Sequence, residues 1–265
     1  MADRVYLGIL GSRFRAQLSY RASFVLDFVA QMVGQASELV VILVLFGRAE
    51  EMGGFAVHEV LIMYGIAGVG FGLADLVVGQ LDELPRMIRT GQLDVMLMRP
   101  LSTLAQVATG DIQLRRVGRI VAALAVLVTV LSTSDIQWTA PKLLLACTAP
   151  LVGAVLFGSI WVVACSVCFW IVDGRELANT VTYGSNMFTS YPITVYPPWL
   201  RRVLAFVIPG AFVAYYPALA LLDRPDPLGA PAFLGWCSPL VAVAAVAVAG
   251  LAWRFAVRHY QGTGS

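Results

Sequence analysis

Four polar residues recur through a stretch that is otherwise apolar. Asp27, Gln31, Gln35 and Glu38 fall at spacings of four, four and three, which places them on one face of a helix. A charge near the centre of a bilayer costs roughly 2.5–3.5 kcal/mol on insertion scales, so Glu38 must face protein or water. Two chemistries fit. Glu38 lines a transport path or responds to protons, or it accepts a hydrogen bond from a neighbouring helix or a second subunit. A second carboxylate, Asp75, sits among Gly65, Gly68, Gly72 and Gly79. Small residues at these spacings let helix backbones approach closely, so the glycines are read as packing positions. A third stripe, Asn179, Tyr183 and Asn186, has Thr182 and Ser190 beside it. It fits a water-filled cavity or another helix, and a whole stripe is more than one helix contact needs.

Other chemistries are excluded by what accompanies the candidate residues. "CSVC" at 165–168 has the spacing of a metal or redox motif, but it lies within "IWVVACSVCFWIV" and has no second ligand pair; these cysteines are read as small buried thiols. "EE" at 50–51 falls in a polar loop, and His58 and His259 fall at opposite faces of the membrane, which argues against an intramembrane hydrolase. No "GxxxxGK[ST]" occurs and the one lysine is Lys142, so the chain has no phosphate-cradling loop. Nothing suggests nucleic-acid binding, since the basic residues follow one membrane face.

The elements that must position these residues follow from composition. Apolar residues make up 59% of the 265-residue chain and charged residues 13%, against roughly 25% charged in soluble domains. That is too little polar surface for a soluble globule, and an all-α integral membrane protein is predicted. No secretory signal peptide is expected, because the first apolar run is short and broken by Arg13 and Arg15. Residues 1–21 carry Leu7, Leu10, Phe14 and Leu18 at helical spacing and fit an amphipathic helix in the membrane interface. Six spans of about 20 apolar residues are predicted, at 24–47, 58–80, 115–133, 142–172, 177–196 and 232–255. The stretch 203–222, within an outer segment at 197–222, is apolar but cut by Pro209 and Pro217. It is read as a broken or re-entrant segment.

Placing the N-terminus inside puts Arg4, Arg13, Arg15, Arg21, Arg86, Arg89, Arg99, Arg115, Arg116, Arg119, Arg175, Arg254 and Arg258 in the cytoplasm, and only Arg48, Lys142, Arg201, Arg202 and Arg224 outside. This bias fixes both termini as cytoplasmic and supports the re-entrant reading, since a seventh crossing would put the basic C-terminus outside. Trp138, Trp199 and Trp236 fall near outer ends, and Trp170 and Trp253 near inner ends, as interfacial belt residues do.

Between the second and third spans lies the polar, sharply punctuated "IRTGQLDVMLMRPL" (88–101). Pro85 suits the first turn of a short helix, Gly91 its left-handed stop, "QLDVMLM" a second short turn, and Pro100 its end. A solvated loop would not need the apolar knob of Val95, Met96, Leu97 and Met98.

This segment resembles the "G-x-L-D-x-x-L-x-R-P-L" that follows the second span in ABC-2 type exporter permeases. "YPITVYPPWLRRVLAFVIPGAFVAYYPALALL" (191–222) resembles that family's Pro-rich segment before the last span, and "WRFAVRHYQGTGS" (253–265) resembles the ending of one bacterial subfamily. The resemblance spans essentially the whole chain. It implies a permease dimer, identical or paired with a related chain, in a bacterial inner membrane. It also implies two ATPase subunits on the cytoplasmic side, which bind the ATP and Mg; this chain would bind no cofactor and hold no catalytic residues. Arg86, Arg89, Gly91, Leu93, Asp94, Leu97, Arg99 and Pro100 would form the coupling segment (82–101) against an ATPase subunit. Gln31, Gln35, Glu38, Asp75, Asn179, Tyr183 and Asn186 would line the transport path or the helix interfaces. The competing readings are a secondary transporter with Glu38 or Asp75 as coupling carboxylate, and a membrane scaffold. The first is disfavoured by the lack of an evident internal repeat.

Overall fold

A computed structural model describes residues 21–110, 113, 116–171 and 174–260. The interfacial helix expected over 1–21 lies outside these residues except for Arg21, which starts helix α1 (Arg21–Phe46). The described secondary structure is helical apart from one isolated bridge, Met52 to Phe55. After α1 come α2 (Val57–Val78), a 3-10 turn (Gly79–Glu83), α3 (Leu84–Arg89), α4 (Gln92–Leu97) and α5 (Thr103–Ala108). Then follow α6 (Val117–Thr133), α7 (Ala140–Ser166), α8 (Arg175–Thr189), α9 (Pro198–Arg202), α10 (Tyr215–Leu222) and α11 (Ser238–Arg258).

Among the described residues, four helices are long and apolar enough to cross a membrane: Val25–Phe46, Val57–Arg89, Ala140–Phe169 and Ser238–Arg258. Counting the bent pair Pro198–Ala205 and Gly210–Leu222, inclined by 68°, as one span gives a fifth. The second expected span, 58–80, does not stop at 80: the helix runs on through Glu83 to Arg89. The last one starts at Ser238 rather than 232, because Pro239 sits in its first turn and Ala232–Trp236 form a 3-10 turn.

The axis of the bundle is α2, where Ile62, Met63, Tyr64, Ile66 and Phe71 are fully buried. Its glycines explain how neighbours come so close. A Cβ at Gly65, Gly68 or Gly72 would clash with Leu127, Ala123 or Ile120 respectively, so α6 lies antiparallel along this face. A Cβ at Gly70 would press on the backbone of Gly153 and Ala154, where α7 crosses. These contacts agree with the packing role read from their spacing.

The 15 residues of α8 span about 22 Å at 1.5 Å per residue, short of the ~30 Å hydrocarbon core. The helix expected over 177–196 ends at Thr189, because Pro192 removes a donor and pushes Tyr191 out of the helical region. Even so, the segment runs the height of α2. Arg175 ion-pairs with Glu83 at one end (3.4 Å), and Thr194 Oγ1 donates to the Gly53 carbonyl at the other (2.8 Å).

The segment 197–222, expected on the outer side, starts and finishes at one end of α2. Arg201 donates to the carbonyls of Tyr196 and Thr194. A π turn over Val203–Val207 is followed by Pro209 and a 3-10 turn at Gly210–Phe212. Val213 packs at Gly153, the residue that faces Gly70, ~20 Å along α2 from Val57. The chain then returns through α10 to Asp223, at φ 51°, and Arg224, which pairs with Glu59.

Candidate functional site

Along α2 and its 3-10 extension, Tyr64, Gly68, Phe71, Asp75, Gly79 and Asp82 recur at spacings of four, three, four, four and three, which makes one stripe. Each position on it meets a polar or aromatic group of another helix. Tyr64 donates to the Gln35 carbonyl (2.7 Å), and the Gln35 side-chain amide donates back to the Tyr64 hydroxyl. Gln35 is 3% exposed, and it also donates weakly to Glu38 at 3.5 Å. Gly68 makes room for that amide, because a Cβ there would approach Gln35 Nε2.

One turn on, the Phe71 ring stacks on Trp161 and meets Phe157 and Tyr183 edge-on, with centroids 5.3–5.5 Å apart. The Arg119 guanidinium lies over the same ring at 5.2 Å, a cation–π contact. Next comes Asp75, 5% exposed, with Arg116 Nη1 at 3.2 Å from Oδ1. Arg116 also donates to the Asp75 carbonyl. Gly79 is what lets the guanidinium in, since a Cβ there would occupy the space of Arg116 Nη1 and Asp75 Oδ1. At the end of the stripe Asp82 accepts from Trp161 Nε1 (2.7 Å) and from the Tyr183 hydroxyl (3.4 Å).

The stripe therefore gathers several residues singled out by spacing. Gln35, Glu38, Asp75 and Tyr183 all lie on or beside it. Gln31 is half-buried one turn before Gln35. Asn179 and Asn186 flank Tyr183 on α8; their side-chain carbonyl oxygens are buried and accept no hydrogen bond. Glu38 is exposed on the surface of this chain. Phe71, Trp161, Arg116 and Arg119 carry no spacing signal and join the stripe only in the fold, and Asp82, expected only as the start of the coupling segment, ends it. Arg116, expected on the cytoplasmic side, is ion-paired beside α2 and its side chain is 11% exposed. Trp253, counted with the belt, is instead 5% exposed and packs edge-on against Phe169.

A second constellation closes the α2 end of the bundle. Pro85 lies in the first turn of α3, and Gly91, at φ 68°, ends it in the left-handed region where glycine carries no steric penalty. α4 follows with Leu93 fully buried as its anchor. Leu93 is thus not a contact residue on the surface. The exposed apolar residues are Val95, Leu97, Leu101 and Met98, the last at 79%. Met96, expected in the knob, turns towards the core. Asp94 is half-exposed, and Arg86, Arg89, Arg99 and Pro100 are exposed around the turn. Helix α5, not foreseen, braces it: Ser102 caps α5 by accepting from the Ala105 amide, and Gln106 Nε2 donates to the carbonyls of Met96 (3.0 Å) and Leu101 (3.2 Å). Glu83 joins the two constellations through Arg86 (2.6 Å) and Arg175 (3.4 Å).

At the opposite end, ion pairs tie the outer segment down. Lys142, with an 8% exposed side chain, pairs with Asp223 at 2.5 Å. Arg224 pairs with Glu59, donates to the Gly54 carbonyl and lies over the Phe55 ring. Among the described residues, no group of three or more His, Cys, Asp or Glu is placed to hold a metal.

Apolar helices of spanning length around a buried polar stripe define a multi-pass helical membrane protein. The chain belongs to the ABC-2 transporter family: the model of the ABC-2 family transporter protein matches residues 32–264. No curated protein and no solved structure matched the chain. Membership makes it a membrane component of an ABC transporter, and members of this kind carry no ATPase site of their own.

Proposed function

We propose that this chain is the permease subunit of an ATP-driven exporter in a bacterial inner membrane, with both termini cytoplasmic. It forms a dimer with a second copy or a related permease. Two ATPase subunits, which hold the ATP and Mg, bind at the α3–α4 turn. The observation that carries this reading, beside family membership, is that turn. Val95, Leu97, Met98 and Leu101 are exposed on a short helix whose Leu93 is rooted in the core and whose carbonyls are held by Gln106. A small apolar surface on a rigid mount, rimmed by Arg86, Arg89 and Arg99, suits a groove on a partner better than it suits water.

The stripe supports the transport half of the reading. It runs beside α8, whose buried Asn179 and Asn186 oxygens are open to a donor from a solute. Closure of the ATPases would move α3 and α4, and Glu83 and Asp82 would pass that motion to α8 through Arg175 and Tyr183. With α6 and α8 both crossing, the chain has six crossings, and 197–222 is re-entrant from the outer face. Asp75 is poorly suited to ion coupling, because Arg116 already neutralises it.

The test is recovery of the tagged chain from its own host. An ATP-hydrolysing subunit should co-purify, and vesicles holding the complex should show ATP-dependent transport. Recovery of the chain alone, with neither property, overturns the proposal. Transport abolished by proton-gradient collapse at constant ATP would favour a secondary transporter.

A further inference from the structure

α2, α7 and α11 leave an apolar groove of ≈ 480 Å³ on the face of the bundle away from the polar stripe. Val77, Leu151, Val155 and Val246 line it and are largely exposed, and Leu104 of α5 closes one end. Ser159 is its one polar side chain, and that hydroxyl is already spent on the Val155 carbonyl (2.8 Å). Two of its lining residues are glycines. Gly65, Gly70 and Gly72 each admit a neighbouring helix, whereas Gly34 on α1 and Gly184 on α8 stand open. Gly250 has no atom within 4 Å of a would-be Cβ, and Gly158 has only Val78 Cγ2 at 3.8 Å. A helical glycine costs about 1 kcal/mol against alanine, and here no packed helix explains it. What the two glycines do is keep the groove deep.

The groove has a charged end. Val246, Gly250, Arg254 and Arg258 follow one another at spacings of four along α11, so they run down one side of the helix. Both arginines are exposed, and among the described residues neither makes an ion pair. The groove, Leu104 and the arginines all lie at the end of the bundle that carries the α3–α4 turn.

We propose that this groove binds one anionic phospholipid from the leaflet on the side of the coupling turn. An acyl chain lies between α2, α7 and α11, and the phosphate is held by Arg254 and Arg258. The chain replaces water-free contacts that the glycines forgo, and the arginines snorkel to the headgroup at the interface. The occupant rests on Leu104, and therefore on the helix whose Gln106 holds the turn.

Native mass spectrometry of the full-length protein, with the subunits that purify with it, tests this. Phosphatidylglycerol and phosphatidylcholine with identical acyl chains are supplied in turn. The expected result is one tightly retained phosphatidylglycerol per chain, preferred about thirtyfold, since each of the two arginines near an anionic surface contributes about 1 kcal/mol. Arg254→Gln with Arg258→Gln should abolish the preference. Gly250→Trp should abolish retention of both lipids, whereas Leu240→Trp, at an exposed position on the same helix, should not. The double arginine variant changes only surface residues and decides the matter even where Gly250→Trp fails to fold. Equal retention of the two lipids by the wild type overturns the proposal, as does unchanged retention in Gly250→Trp. A Gly250→Trp protein that dissociates into monomers and keeps its lipid would give the groove to a second copy. None of these readings depends on transport or on ATP hydrolysis.

Discussion

Arg116 reaches Asp75 only through the gap left by Gly79. The glycine itself has φ −62°, a conformation open to any residue, so it is not there for backbone freedom. Alanine should stabilise such a position by up to about 1 kcal/mol on propensity alone. The opposite sign is expected. Gly79→Ala should lower the thermal unfolding midpoint in detergent, because the methyl displaces the guanidinium and leaves two buried charges apart. Asp75→Asn should destabilise by on the order of 3 kcal/mol by the same logic. Adding Arg116→Gln to either variant should recover part of the loss, and a purely additive double mutant would contradict the pairing.

The two kinds of residue in the coupling turn should separate cleanly. Leu93→Ala removes a fully buried anchor and is expected to cost about 2–5 kcal/mol of stability. Met98→Ser touches a residue that is 79% exposed and should leave stability within about 0.5 kcal/mol, yet weaken recovery of the ATPase subunit. Asp94→Arg, or loss of the Arg99–Pro100 pair, should uncouple ATP hydrolysis from transport without preventing insertion. Transport at the wild-type rate in Asp94→Arg would refute the coupling role.

Among the described residues Glu38 has one weak hydrogen bond, from Gln35 at 3.5 Å. Glu38→Gln keeps the size and removes the charge. If the charge serves transport, the transport rate should change while the unfolding midpoint holds. The reverse pattern, unchanged transport with a shifted midpoint, would place Glu38 in a helix or subunit contact.

At the end of the bundle opposite the α3–α4 turn, the Lys142–Asp223 pair is asymmetric: the lysine side chain is 8% exposed and the aspartate 69%. Asp223→Asn strands a buried ammonium and should destabilise more than Lys142→Met, which only frees a solvated carboxylate. Unfolding midpoints of the two single mutants and the double mutant measure this directly. Equal losses would mean that the lysine is solvated in practice.

Much of this architecture was legible in the order of residues, and what was not has a common cause. Gly91 and Pro85 announced the α3–α4 turn because a left-handed stop and a helix start each need a particular residue type. The glycines of α2 were read correctly as contacts between helices. The long apolar runs announced α1, α2, α7 and α11, though the 3-10 continuation of α2 past residue 80 was hidden by the change from apolar to polar side chains at Gln80–Glu83. Charge counting assigns Arg116 and Arg119 to a membrane side but says nothing of their contacts, and these two turn inward onto α2. The repeat Tyr64, Phe71, Asp75 and Asp82 was in plain view. It mixes aromatic with acidic residues, so neither a hydropathy window nor a polar-face search selects it. Ser102 ahead of Thr103–Ala108 was a helix-start signal of ordinary strength that was passed over.

The polarity of α8 also constrains the order in which the protein is made. Its Asn179, Thr182, Ser185, Asn186 and Thr189 would gain little from leaving the insertion channel for lipid alone. Phe71 and Trp161, the surfaces Tyr183 packs on, emerge from the ribosome earlier than α8 does. In the six-crossing topology α8 enters the bilayer as a guest of helices already present. Its two tethers, Arg175 to Glu83 and Thr194 to Gly53, both join it to segments made before it, so they close only once those segments are in place.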